Sequence, residues 1–105
     1  MLTTELRPTK ALLDFRKRYK AQFHLDATPF AVANYDAIML LGQVIKKAGS
    51  TDPNKLKDGL NSVKGYKGLQ GTVSFSEQNH ATVVESNLTL TRYDAKSKTW
   101  KPFKW

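Results

Sequence analysis

One segment of the chain is apolar on almost every side when it is drawn as a helix. Between residues 30 and 45 only Asn34, Asp36 and Gln43 have amide or acidic side chains. The pattern predicts a helix over about 29–48 that needs packing partners around most of its circumference. A membrane span is not expected, because Asp36 interrupts the apolar run well before it reaches about 18 residues.

Residues at both ends of this segment support the helix. Thr28 before a proline is typical of a helix start, and Gly49 after two lysines is typical of a helix end. A further helix is predicted directly afterwards, because Thr51 or Asp52 can cap it and Pro53 can occupy its first turn.

An amphipathic helix over about 8–23 precedes this pair. Three apolar or aromatic side chains recur on one stripe at helical spacing, namely Leu12, Phe15 and Tyr19. Charged residues fill the other faces, so the sequence predicts a helix at the surface of the protein.

The last third of the chain is predicted to form strands. Residues 65–71 contain three glycines and are expected to be an irregular connection, since their spacing does not match a phosphate-binding loop. Strands are then predicted at 72–75, within 82–93 and at 99–103. A turn is predicted after the first of these, in which Asn79 can adopt a positive φ at little cost, and Pro102 should end the last strand or confine it to an edge.

Net charge is the one unusual bulk property. The 105-residue chain has a formal charge of +8 and a pI near 9.8, which would suit an anionic partner such as nucleic acid. The lysines are spread along the whole chain, however, and only residues 16–20 form a local basic cluster. We therefore expect no nucleic-acid partner, while a small basic module for nucleic acid or an acidic partner is the alternative interpretation.

Residues that could perform catalysis or bind metal are sparse. The chain has no cysteine, and His24 and His80 stand apart from any second ligand at a metal-binding spacing. No serine lies in the G-x-S-x-G pattern of a nucleophile elbow. We expect neither an enzyme nor a metal site. Asp36 is either a buried acid or, as we prefer, a carboxylate stabilised by the helix dipole and hydrogen bonds.

Several short motifs, in order, resemble one known family. They are Tyr35-Asp36-Ala37, Ala48-Gly49-Ser50, the loop Gly68 to Gly71, and the segment Gly71-Thr72-Val73-Ser74-Phe75. Together with the preceding helix they resemble the C-terminal third of the leucine/isoleucine/valine-binding proteins, which are type I periplasmic substrate-binding components of ABC importers. The resemblance runs from about residue 8 to residue 103. Ser76 and Asn79 depart from it, since they stand where the family usually has Asp and Gly.

The resemblance implies an α/β fold in which three helices are followed by short strands in hairpins. Such a chain would be a partial lobe of the periplasmic-binding-protein type I (Venus-flytrap) fold. Residues 1–86 would be the C-terminal part of the first lobe, and residues 87–105 would hold a hinge strand and a terminal hairpin of the second lobe. The parallel sheet of the first lobe is then expected to lie outside this sequence.

The resemblance also implies a function without catalysis and without a cofactor. The protein would capture an amino acid, branched-chain or related, or a similar small carboxylate, in the periplasm or anchored outside the membrane of a single-membrane bacterium. It would deliver this solute to the permease of an ABC importer. The residues expected to contact the solute lie at the start of the long helix, namely Phe30, Ala31, Asn34 and Tyr35. The alternative role of Phe30 and Tyr35 is packing in the protein core. If the apolar helix predicted over 29–48 is left uncovered, we expect the chain to form a homodimer.

Overall fold

The computed structural model describes residues 8–81 and 88–103, and within them the chain forms three helices and four short strands. The helices are α1 (Lys10–Phe23), α2 (Pro29–Ala48) and α3 (Pro53–Asn61), and the strands are β1 (Tyr66–Gly68), β2 (Gly71–Val73), β3 (Thr91–Asp94) and β4 (Thr99–Pro102). This order confirms the predicted fold class of three helices followed by strands in hairpins. The predicted domain boundary between residues 86 and 87 touches residues outside the described ranges and stays a prediction.

Side-chain caps fix where the helices begin. Thr28 Oγ1 accepts a hydrogen bond from the backbone N–H of Ala31 at 3.3 Å, and Asp52 Oδ1 accepts from two backbone amides of the next turn. Thr9 caps α1 in the same way, so α1 starts at Lys10 and the predicted start at residue 8 was two residues early. The bounds of α2 match the prediction.

The core lies where α1 crosses the first half of α2. Leu12 and Phe15 of α1 and Val32 of α2 are buried together, and four partly buried side chains pack around them, namely Tyr19, Ala27, Tyr35 and Leu69. Tyr19 and Tyr35 flank the Phe15 ring with centroid distances of 5.8 and 4.8 Å. Aromatic pairs at this separation add to the stability gained by burial.

Only one side of α2 is packed within the described part of the chain. Its buried residues, Val32, Leu40 and Val44, are spaced by multiples of four and therefore lie on one stripe. Phe30 and Ile38 point away from this stripe and are 80% and 68% exposed. The expected packing partners of α2 are therefore present on the face with Val32, Leu40 and Val44, and are not seen among the described residues on the face with Phe30 and Ile38.

Helix α3 packs closely on the second half of α2 through a glycine. A β-carbon placed on Gly59 would lie 2.7 Å from Cγ1 of Val44, which is closer than real side chains approach. The missing side chain at Gly59 therefore sets the distance between the two helices.

The two pairs of strands form separate antiparallel hairpins. In the first, Tyr66 is opposite Val73 and Gly68 is opposite Gly71, so the predicted irregular connection over 65–71 was wrong. Strand β2 ends at Val73, two residues before the predicted end, and Asn79 does not use the positive φ that an asparagine can adopt. In the second hairpin β4 ends at Pro102, as expected for that proline, one residue before the predicted end at 103. Of the strand predicted within 82–93, β3 begins only at Thr91, and residues 82–87 lie outside the described ranges.

The described residues form a flat and extended body. The radius of gyration is 16.3 Å and the principal extents are 54 × 37 × 18 Å, whereas a compact domain of this length has a radius of gyration of about 13 Å. No helix among these residues is long and apolar enough to cross a membrane.

Candidate ligand-binding surface

The first turn of α2 presents an aromatic ring and an amide to solvent. Pro29 opens the helix, Phe30 follows with 80% of its surface exposed, and Asn34 lies one turn later on the same face. Asn34 Nδ2 donates to the backbone oxygen of Phe30 at 2.8 Å. An asparagine side-chain amide has two N–H donors and one acceptor oxygen. The Asn34 side chain therefore keeps one N–H donor and its amide oxygen for a ligand.

The turn of the β1–β2 hairpin lies against this part of α2. Asp36 Oδ1 accepts a hydrogen bond from the backbone N–H of Leu69 at 2.8 Å, and Oδ2 accepts one from Gln70 at 2.9 Å. Gln70 also reaches back, and its Nε2 lies 3.4 Å from the backbone oxygen of Pro29. The helix start and the hairpin turn therefore form one connected surface.

The Asp36 contact depends on a neighbouring glycine. A β-carbon on Gly68 would lie 2.6 Å from Asp36 Oδ2 and 2.9 Å from its Cγ, so a side chain at position 68 would displace the carboxylate. Tyr66 lies nearby, and its pKa is raised above 10.0, first because the phenol is partly buried and then because the Asp36 carboxylate disfavours the phenolate. The carboxylate is thus a structural acceptor, in agreement with the interpretation preferred from the sequence.

The structure places the four predicted contact residues in two different environments. Phe30 and Asn34 lie together on the exposed face of the first turn, and Ala31 beside them is partly buried. Tyr35 faces α1 instead, where its ring contacts Phe15 in the core and borders a shallow groove of about 690 Å³. The structure therefore brings Phe30, Ala31 and Asn34 to one surface and gives Tyr35 a packing role.

Side chains that could together hold a metal ion do not cluster in residues 8–81 and 88–103. No three His, Asp or Glu side chains in these ranges are close enough to hold a metal ion. His24 caps the end of α1 in a left-handed conformation, and its backbone N–H donates to the backbone oxygen of Lys20. His80 Nε2 lies 3.1 Å from Asn61 Oδ1, which ties the segment after β2 to the end of α3.

Sequence reasoning missed the roles of Gln70 and Gly68. A signal for them was present, because Asp36 is four residues from both Val32 and Leu40 and so lies on the buried stripe of α2. A carboxylate on a buried stripe needs donors. The backbone amides of a tight turn rich in glycine can approach closely enough to supply them.

Comparison with known proteins agrees with this architecture. Residues 3–98 match the family model described as periplasmic binding protein. The structure is also similar to that of a type 1 periplasmic binding protein from Bordetella pertussis Tohama I, with a TM-score of 0.69 and 26% sequence identity over 92% of this chain. The chain spans 30% of the length of that protein. Since the family model covers nearly the whole sequence, the chain belongs to the periplasmic binding protein family.

Proposed function

We propose that this chain is part of an extracytoplasmic solute-binding protein that serves an ABC importer. It captures an amino acid, branched-chain or related, or a similar small carboxylate, and performs no catalysis. The complete protein delivers the solute to a membrane permease. Membership of the periplasmic binding protein family supports solute binding and a location outside the cytoplasm.

The observation that carries the proposal is the exposure of Phe30. The Phe30 side chain is 80% exposed and contributes little to packing within the described residues. Its backbone is nevertheless fixed, because its carbonyl accepts from Asn34 Nδ2 and the next N–H, that of Ala31, donates to Thr28 Oγ1. An apolar face beside an amide is the combination that lines small-solute sites. Phe30 and Ala31 supply the apolar contact, Asn34 supplies hydrogen bonds, and Tyr35 holds the helix against α1.

The exposed face of α2 has a second consequence under this proposal. Ile38 and Met39 continue the uncovered apolar surface beyond Asn34 and are 68% and 45% exposed. In a longer protein of this family a further part of the lobe covers these residues. In the chain by itself a second copy covers them, because an exposed apolar surface of this kind favours association.

The chain alone is expected not to bind amino acids with micromolar affinity. Small-solute sites gain their affinity by enclosing most of the ligand, whereas Phe30 and Asn34 lie on an open surface. Calorimetric titration of the chain with leucine, isoleucine, valine and phenylalanine checks this expectation. Micromolar binding would mean that the chain has a complete site.

A chimera tests the proposed site directly. Residues 8–103 replace the matching part of the Bordetella pertussis protein, and the chimera is titrated with leucine, isoleucine, valine, phenylalanine and glutamate. We expect one of these solutes to bind. Phe30→Ala should then weaken binding by about tenfold or more, because burying a phenylalanine side chain contributes about 1.5–3 kcal/mol.

Phe23→Ala is the matched control. Phe23 is another exposed aromatic side chain, at the end of α1, and it is not part of the proposed surface. Equal affinities for the Phe30→Ala variant and the unaltered chimera would contradict the assignment of the site. A folded chimera that binds none of the five solutes would contradict the assigned solute class.

A further inference from the structure

A wide groove lies between the second half of α2, helix α3 and the segment that leads into β1. Its volume is about 1260 Å³, which exceeds the roughly 300–1,000 Å³ of pockets that enclose small molecules. Leu40, Val44, Val63 and Tyr66 are among its lining residues. Leu40 and Val44 are buried, and we call this apolar part of the lining its floor. The groove is on a different part of α2 from Phe30 and does not include the surface proposed for the solute.

Five lysines line this groove and make it strongly cationic, namely Lys46, Lys47, Lys55, Lys64 and Lys67. Asp58 is the one acidic side chain among its lining residues. We call it the lysine groove. It concentrates cations from three different segments of the chain, although the lysines appear scattered in the sequence.

Most of these ammonium groups have no ion-pair partner among the described residues. Lys64 Nζ donates to the backbone oxygen of Phe75 at 2.8 Å. The ion pairs in the described part of the chain are formed by Lys10, Lys20 and Lys101, so the other four groove lysines are not in ion pairs there. Lys46 and Lys47 offset the dipole at the end of α2, whereas no helix end accounts for Lys55 or Lys67.

We propose that the lysine groove binds an acidic polypeptide segment that also carries apolar side chains. The lysines would pair with its carboxylates, and the apolar floor would take its hydrophobic side chains, as in helix-in-groove recognition. A concave groove fits a single polypeptide segment better than it fits the flat surface of a lipid bilayer. Nucleic acid is a poorer match, because its phosphates would pair with the lysines but leave the apolar floor uncovered.

The test uses the full chain and a fluorescent peptide in which glutamate and leucine alternate at helical spacing. Binding is followed by fluorescence anisotropy at about 50 and about 300 mM salt, since screening weakens contacts between exposed charges. The variant Lys55→Glu with Lys67→Glu should weaken peptide binding at least tenfold. The control variant, Lys17→Glu with Lys96→Glu, has the same net charge and should weaken binding less than threefold.

Three further measurements make the test specific. A peptide with glutamine in place of glutamate should bind at least tenfold more weakly than the acidic peptide. Vesicles of anionic lipid and a single-stranded oligonucleotide should compete less well than the acidic peptide. Lys55→Gln with Lys67→Gln removes the charge without reversing it and should give an intermediate loss, with an unchanged circular dichroism spectrum.

Four outcomes would overturn the proposal. They are equal losses in the groove and control variants, stronger competition by vesicles or by the oligonucleotide, no loss on replacing glutamate with glutamine, and no peptide binding at low salt. None of these outcomes bears on solute binding at Phe30, which the chimera tests separately.

Discussion

Gly68 lies so close to Asp36 that a β-carbon at position 68 would be 2.6 Å from the Oδ2 atom of the aspartate. This proximity lets the carboxylate reach the two amides of the following turn, at Leu69 and Gln70. Two charge-assisted hydrogen bonds thus connect the middle of α2 to a hairpin more than 30 residues later. They set the position of the hairpin relative to the candidate surface.

Replacing Asp36 with asparagine should loosen this connection. Asparagine has the same shape but only one acceptor oxygen, so one of the two amides loses its partner. We expect the free energy of unfolding to fall by about 1–2 kcal/mol. Hydrogen exchange should become faster at Leu69 and Gln70, while the amides of α3 should exchange at an unchanged rate. Unchanged exchange at both turn residues would contradict the role given to Asp36.

Two glycines in neighbouring helices should respond in opposite ways to alanine. Gly59→Ala should lower the free energy of unfolding by about 1 kcal/mol or more, because the new methyl group would meet the stiff, buried side chain of Val44. Gly42→Ala should raise it by about 0.5–1 kcal/mol, because no atom lies within 4 Å of its added β-carbon and alanine favours the helix. Urea unfolding measures both. No loss of stability in Gly59→Ala would mean that α3 does not approach α2 as closely as described.

The exposed apolar face of α2 should cause self-association of the chain in solution. Ile38→Glu places a charge in the middle of that face and should shift the protein toward monomer in light scattering coupled to size exclusion. Leu25→Glu is the matched control, because Leu25 is 67% exposed but lies before α2 begins. A chain that is monomeric before any substitution would contradict the predicted homodimer.

The β3–β4 hairpin should weaken at acidic pH. The pKa of Asp94 is held below 3.8, first by the hydrogen bond from Lys101 and then by those from Ser97. A carboxyl group whose pKa is lower in the folded state stabilises that state fully at pH values above its ordinary pKa, and this stabilisation is lost as the pH falls through the folded value. We therefore expect the hairpin to lose stability below about pH 4.

The neighbouring aromatic pair reports this acid transition. The rings of Tyr93 and Trp100 lie 5.4 Å apart in an edge-on arrangement, so their near-ultraviolet circular dichroism depends on the hairpin. Asp94→Asn should remove the acid transition, because the titrating group is gone. Asp26→Asn is the control. Asp26 follows α1 and pairs with Lys20 of that helix, so losing this ion pair should leave the aromatic signal of the hairpin unchanged. A transition that persists in Asp94→Asn would assign it to other groups.

Helix bounds were predictable because local chemistry determines them. Thr28, Gly49 and Asp52 act through backbone groups within a few residues, so the sequence identified both ends of α2 and the start of α3. The β1–β2 hairpin was missed because three glycines lower the strand propensity of residues 65–71. Its turn is held by Asp36, more than 30 residues earlier, and propensity carries no information about such a contact.

The candidate site was only partly predictable, because it also depends on contacts between residues that are distant in the sequence. Phe30 and Tyr35 are both aromatic residues at the start of α2, and the sequence offered pocket lining or core packing for each. The difference between them depends on where α1 lies, since the Phe15 ring of α1 packs against Tyr35, whereas Phe30 remains 80% exposed in the part of the chain that is described. A position fixed by packing between two helices is not encoded in the residues on either side of it.

The hydrogen bonds at the start of α2 also affect what binding to Phe30 would cost. Thr28 and Asn34 already fix the backbone around Phe30, and Gln70 holds the adjacent carbonyl of Pro29. A ligand that binds to the Phe30 ring therefore does not have to order the backbone around it. The entropic penalty on the protein side is limited to the two torsion angles of one phenylalanine, about 0.5–1.5 kcal/mol.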